Sequence, residues 1–251
     1  MAERNAKLIL MVGVLGVSAS AILVRFSQAP SGVTAAYRLG WTVLLLLPVV
    51  LLRCRAELRR VTARDLVLCG ASGVLLALHF LTWFESLKRT SVASSTVLVS
   101  TEVIFTAMGF ALFLHGKIPR LGVWAILLAF GGSALLALSG GGGAGELSSN
   151  LLALAAASAA AVYTLIGRVQ RGHLSTTVYT FLTYLACFLT LLLGTAAAGT
   201  PLTGYGGREW LIGLALAVLC TLLGHSLFSW CLKYLSPSYV SAAKLCEPVF
   251  S

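Results

Sequence analysis

Four charged side chains stand where charge is expensive. Arg38, Glu102, Lys244 and Glu247 all lie inside long apolar stretches of this 251-residue chain. A charge at the centre of a bilayer costs about 2.5–3.5 kcal/mol on insertion scales. Together they would cost on the order of 10 kcal/mol if they faced lipid. They must therefore face a wet cavity or each other. Lys244 and Glu247 are three residues apart, which puts them on one helical face. Two readings follow for that pair. It meets the two ends of a zwitterion such as an amino acid, or it neutralises itself as an internal ion pair that holds the bundle. Glu102 stands alone in its stretch, which suits substrate or proton handling, or a structural hydrogen bond. Arg38 reads as a structural or gating charge, paired with Glu85 or with helix-end carbonyls.

Two histidines and two tryptophans join these charges as candidates for a substrate cavity. His79 and His225 fall at similar depth in their apolar stretches. Each could contact substrate or relay a proton, or sit neutral against a neighbouring carbonyl. Trp83 and Trp230 follow about one turn further along. They could wall an aromatic cavity or belong to an interfacial belt.

The elements that position these groups are membrane spans. The chain is 58% apolar and only 10% charged, with a mean hydropathy of +0.93. Soluble domains carry about a quarter charged residues, so most of this exterior must face lipid. Apolar runs long enough to cross a bilayer lie at 8–26, 33–52, 66–87, 91–114, 120–140, 149–167, 174–198, 210–233 and 236–251. Pro30, Pro119, Pro201 and Pro237 fall at or near their boundaries, where proline is tolerated. The run SGGGGAG at 139–145 reads as a flexible connector at the midpoint. Gly16 and Ser20, and the series Ala153, Ala157 and Ala161, are small residues spaced for close helix approach.

The net charge of +10 is better read as a topology signal than as a nucleic-acid surface. With a cytoplasmic N-terminus, the inner segments hold twelve Lys and Arg and the outer segments four. The loop RCRAELRRVTAR supplies much of that bias. No cleavable signal is evident in the first span. The expected location is a bacterial-type cytoplasmic membrane.

The chain also repeats. SLKRTSVASSTVLVSTEVIFT from Ser86 aligns with CLKYLSPSYVSAAKLCEPVFS from Cys231 at an offset of 145. The offset pairs Leu87 with Leu232, Lys88 with Lys233, Ser91 with Ser236 and Glu102 with Glu247. One residue of slip brings His79 onto His225. Five spans per copy force the second copy in from the opposite side, an inverted-topology repeat. The halves are expected at 1–140 and 141–251. The second stops short of the first, so roughly 33 further residues would be needed to complete it.

With these features the chain resembles the drug/metabolite transporter superfamily, in its EamA-type permease branch. The segment from Ser86 to Leu138 has the shape of that branch's fourth and fifth helices. LKYLSPSYVSAAKLCEPVF has the shape of their second copy, including the EP dipeptide. YRLGWTVLLLLP places Arg38 where the branch usually has an arginine. The chain departs at Val103, near which the branch often has proline, and at His115-Gly116-Lys117, where it often has Gly-Glu. The resemblance implies an all-α polytopic bundle of ten helices in two inverted halves, about nine of them present. It implies a central cavity and ATP-independent transport of amino acids, metabolites, nucleotide-linked compounds or drugs. By the same analogy a homodimer could form through the fifth helix and the tenth.

Other membrane chemistries have sequence signatures of their own. Aspartyl proteolysis needs two aspartates, and Asp65 is the only one. GASG at 70–73 matches a serine-protease pattern with Ser72 as nucleophile and His79 or His225 as base. A non-transporting partner subunit would show an apolar, closed midplane. The glycine run lacks the GK[ST] of a phosphate loop. None of the six cysteines forms a CxxC pair, and no cofactor or metal pattern is present. The expected partners are a small-molecule substrate and the lipid bilayer, with no nucleic acid.

Overall fold

A computed structural model describes residues 2–118 and 144–247, together with scattered positions from 120 to 131. Among these residues the regular structure is helical throughout. The helices are α1 (Ala2–Phe26), α2 (Ser31–Arg53), α3 (Ala63–Arg89), α4 (Val92–Val99), α5 (Glu102–Phe113), α6 (Ala144–Gln170), α7 (Thr176–Ala197), α8 (Gly207–Cys231) and α9 (Pro237–Ala243). Seven spans among the described residues are long and apolar enough to cross a membrane, with α4 and α5 forming one of them. Leu8, Leu52, Val67, Leu193 and Leu211 are exposed on their outer faces, as lipid contact requires. The predicted fifth span at 120–140 and the glycine connector fall largely outside the described residues. The predicted ninth span is described as far as Glu247.

The ends of the helices are fixed by short polar signals. Thr62 and Asp65 form a reciprocal capping box at the start of α3. Ser91, Ser175 and Ser236 each accept a backbone N–H as N-caps of α4, α7 and α9. Pro30 and Pro237 occupy helix starts, where no backbone donor is lost. Pro48 lies inside α2 instead.

Contacts between helix ends reveal the inversion. Arg25, at the end of α1, donates to the Leu87 carbonyl at the end of α3, so α1 and α3 run parallel. Gln170, at the end of α6, donates to Asp65 at the start of α3, so α6 and α3 run antiparallel. The first helices of the two halves therefore run in opposite senses. The packing partners exchange accordingly: α3 of the first half packs on α6 and α7, and α8 of the second half packs on α1 and α2. Two faces result. One carries the N-terminus, the start of α3 and the end of α6; the other carries the α1–α2 turn and the start of α8.

Small residues set the closest approaches. A Cβ on Gly16 would stand 2.7 Å from the Leu219 carbonyl oxygen, so α1 lies directly on the backbone of α8. A Cβ on Gly73 would meet the Thr183 oxygen at 2.5 Å, and one on Gly70 would meet nothing within 4 Å. Ala153, Ala157 and Ala161 are buried on α6. Gly73→Ala should therefore cost about 1–3 kcal/mol through overpacking against backbone. Gly70→Ala should leave stability unchanged or slightly raised. Thermal unfolding of the detergent-solubilised protein separates the two; equal melting temperatures would contradict the packing.

Candidate functional site

The polar groups inside the bundle converge on one cavity. Its lining includes Ser20 of α1, Arg38 of α2, His79 and Trp83 of α3, Glu102 of α5 and His225 of α8. Lys244 and Glu247, beyond α9, complete it. Its free volume is about 30 Å³, room for a water or two. Glu102 lies ten residues beyond the start of α4, or about 15 Å at 1.5 Å per residue, half the hydrocarbon thickness.

The helices that carry the two repeat-related glutamates are both broken. α4 ends at Val99, and α5 begins at Glu102 after a tight turn through Ser100 and Thr101. α9 ends at Ala243 and tightens into a 3₁₀ turn over Lys244–Cys246, just before Glu247. The two breaks fall at equivalent positions of the repeat. Opposite them, Leu216–His225 of α8 is a ten-residue π-helix, an uncommon geometry often found at functional sites. Broken backbone at membrane depth is tolerated where protein or a cavity can satisfy it.

Glu102 is held by three side chains. Lys244 Nζ donates to both its carboxylate oxygens at 2.9 Å. Thr164 Oγ1 donates to Oε1 at 3.0 Å, and Ser241 Oγ lies 3.2 Å from the same oxygen. The anticipated Lys244–Glu247 pair is therefore replaced by Lys244–Glu102, an ion pair between the two halves. The sequence showed that Lys244 and Glu247 could share a face. It could not show that Glu102 arrives at that face from the other half. Glu102 is consequently not a lone buried carboxylate.

Arg38 also departs from expectation. Glu85 accepts from Arg89 and Ser31 at the membrane end of α3. Arg38 lies seven residues beyond Ser31, or about 10 Å deeper, out of reach of that carboxylate. It is fully buried. Nε donates to Thr221 Oγ1 at 2.7 Å, Nη1 donates to Ser20 Oγ at 3.2 Å, and the guanidinium stacks 4.2 Å from the Phe80 ring centroid. Arg38 is thus a cavity residue.

His79 and His225 meet, with ring centroids 6.2 Å apart. His79 Nδ1 lies 3.0 Å from the Ala156 carbonyl, the structural bond weighed from the sequence, while its ring lines the cavity. Trp83 stacks on His79 at 5.7 Å and faces the cavity. Trp230 does not. It is half-buried, with its ring 4.6 Å from Tyr234, and it packs at the edge of the α1–α8 contact. Trp83 follows His79 by four residues, and Trp230 follows His225 by five. At about 100° per residue the fifth position turns some 140° away from the first. Phe228, three residues on, takes the cavity position instead.

Four buried polar atoms have no hydrogen-bond partner among the described residues and belong to cavity-lining side chains: Arg38 Nη2, Trp83 Nε1, His225 Nδ1 and Glu247 Oε1. They come from four different elements. Unsatisfied buried groups are costly and rare, so the four that gather here make this cavity the candidate site. The sequence pointed to three of these four residues as cavity groups; the fourth, Arg38, was expected to point inward as a structural or gating charge, and it joins them.

The serine-protease arrangement is not formed. Ser72 Oγ is hydrogen bonded to Tyr179 Oη at 2.9 Å in a fully buried position, and Gly73 of the same motif serves helix contact. The midplane is polar, unlike the apolar one expected of a passive partner subunit.

The sequence pattern of the EamA-like transporter family matches residues 5–138 and 147–251. The chain belongs to that family. Its two matched segments correspond to the two halves of the bundle, and the chain is a multi-pass integral membrane protein of a transporter family. A crystallographically determined protein is similar in fold, with a TM-score of 0.73 at 20% sequence identity, over 98% of this chain and 85% of that one. A sequence search of curated proteins gave no match.

The Glu102–Lys244 pair generates a stability prediction. Lys244→Met should destabilise this EamA-type bundle by about 3–5 kcal/mol, because it leaves a buried carboxylate uncompensated. Adding Glu102→Gln should recover part of that loss. Thermal unfolding in detergent measures both; a double variant no more stable than Lys244→Met would contradict the pairing.

Proposed function

We propose that the protein is a secondary transporter that moves a small zwitterion, most simply an amino acid, by alternating access. Its N-terminus would face the cytoplasm across a bacterial-type cytoplasmic membrane. The observation that carries this reading is the pairing of Arg38 Nη2 and Glu247 Oε1 in one cavity, both without partners among the described residues. A guanidinium is suited to a carboxylate, and a carboxylate to an ammonium. Glu102 does not compete for the ammonium end, because Lys244 already neutralises it. Trp83 Nε1 and His225 Nδ1 offer further polar contacts in the same cavity, and the Phe228 ring adds an apolar wall.

The cavity volume of about 30 Å³ is too small for an amino acid. Substrate entry therefore requires the lining helices to part, which is what alternating access supplies. Broken helices at mid-depth and an inverted repeat are the parts such a cycle uses. Family membership supports transport; the zwitterion rests on the cavity chemistry. A proton-coupled cycle would use Glu247, which has no ion-pair partner among the described residues, in preference to Glu102.

Uptake into proteoliposomes by the full-length protein tests the proposal. Zwitterionic amino acids should be carried. Arg38→Gln and Glu247→Gln should each reduce flux roughly tenfold or more, the loss of one charge-assisted contact. Amide and N-acetyl derivatives, which lack one charge, should compete poorly with the wild type. Absence of flux for every amino acid, with and without a pH gradient, would refute this function.

A further inference from the structure

Outside the cavity, the two faces of the bundle carry matching sets of polar contacts. On the face opposite the N-terminus, Arg25 Nη1 donates to the Leu87 carbonyl at 2.7 Å. Just beyond it, Ser27 Oγ donates to Glu209 Oε2 at 2.6 Å, and the Gln28 backbone N–H donates to Oε1 at 3.0 Å. On the N-terminal face, Arg168 Nη1 donates to the Leu232 carbonyl. Just beyond it, Gln170 Nε2 donates to Asp65 Oδ1 at 3.1 Å, and His173 Nε2 lies 2.8 Å from the same oxygen.

The two sets are related by the repeat. Leu87 and Leu232 are equivalent at the offset of 145 found in the sequence, and Asp65 and Glu209 are 144 residues apart. Arg25 and Arg168 are separated by 143. Each carboxylate is the third residue of its helix, where the positive helix end favours a negative charge. In each set the arginine ties the first helix of a half to the third helix of the same half. The residues that follow it reach across to the third helix of the other half. Ser27 and Gln28 of the first half hold Glu209 of the second. Gln170 and His173 of the second half hold Asp65 of the first.

We infer that these are two repeat-related latches, one per membrane face, and that Glu209 and Asp65 are the residues on which each face closes. The inference rests on the alternating-access reading above. Of the helices they join, α1, α3 and α8 line the cavity, and α6 holds two of its residues, Glu102 through Thr164 and His79 through the Ala156 carbonyl. Both latches are made in this structure, in keeping with the small cavity between them. Opening toward one face requires α1 to part from α8; opening toward the other requires α6 to part from α3. Releasing one carboxylate frees one of these pairs and leaves the other closed. Asp65 and Glu209 are positioning residues for the transport cycle and touch no substrate.

Thiol labelling tests this without any substrate. Ser100 lines the cavity at the break between α4 and α5, so Ser100→Cys supplies a reporter. A membrane-impermeant maleimide is applied from either side of sealed vesicles carrying the full-length protein. Modification at position 100 is read by peptide mass spectrometry, which separates it from the native cysteines. With both latches intact, labelling is slow from both sides. Glu209→Ala, or the milder Ser27→Ala, should raise the rate from the face opposite the N-terminus, roughly tenfold for the carboxylate variant, and leave the other face unchanged. Gln170→Ala combined with His173→Ala should do the reverse while leaving the Asp65 cap on α3 in place. Unchanged rates, a rise from the wrong face, or an equal rise from both faces would overturn the latches. If labelling follows the expected pattern but no zwitterion is carried, the substrate reading fails and the latches stand.

Discussion

A charge that cannot reach water must find a partner or a cavity, and this constraint organises the interior of the bundle. Lys244 answers it by placing its ammonium on both oxygens of Glu102. Arg38 answers it by binding Thr221 and Ser20 and lying on Phe80. Glu247 answers it by facing the cavity, its Oε1 without a hydrogen-bond partner among the described residues. The geometry around these groups follows from theirs. α4 and α5 break where Glu102 must turn inward, and the chain after α9 breaks at the equivalent point before Glu247. The π segment of α8 brings Thr221 to Arg38 and His225 to His79.

The repeat gives this interior its symmetry, and the side chains break it. The two glutamates are equivalent by position but not by state. Val99, the residue matching Lys244 at the same offset, carries no charge, so only one ammonium is present for two carboxylates. It goes to Glu102, and the cavity is left with one anionic pole at Glu247 and one cationic donor at Arg38. A symmetric cavity would have presented like poles. The asymmetry leaves two opposite charges in one cavity, and the proposed zwitterion substrate rests on that.

The same repeat operates at the two faces, where it is better kept. Asp65 and Glu209 occupy the same position at the start of their helices, and each is held by residues at or just beyond the end of the first helix of the other half. Inverted copies put like contacts on opposite sides of the membrane. A carboxylate in the first turn of a third helix therefore stands at both ends of a single central space, with different donors on each.

Much of this was legible in the sequence. Hydropathy and the rarity of charge required a helical membrane bundle, because continuous apolar runs of about 20 residues hide their backbone from lipid as helices. The offset between LK pairs and glutamates required two inverted halves, because an odd number of spans reverses direction. The cost of buried charge required Arg38, Glu102, Lys244 and Glu247 to point inward. Which of them met was decided by tertiary structure. Partners separated by more than a hundred residues, such as Glu102 and Lys244, have no signature in spacing. Local periodicity favoured Lys244 with Glu247 and placed Trp230 beside His225. The meeting of the two halves redirected the first, and a five-residue step around the helix turned the second away. Sequence determined what had to be buried; the packing of one half on the other decided which of those groups satisfied one another and which remained unpartnered at the cavity.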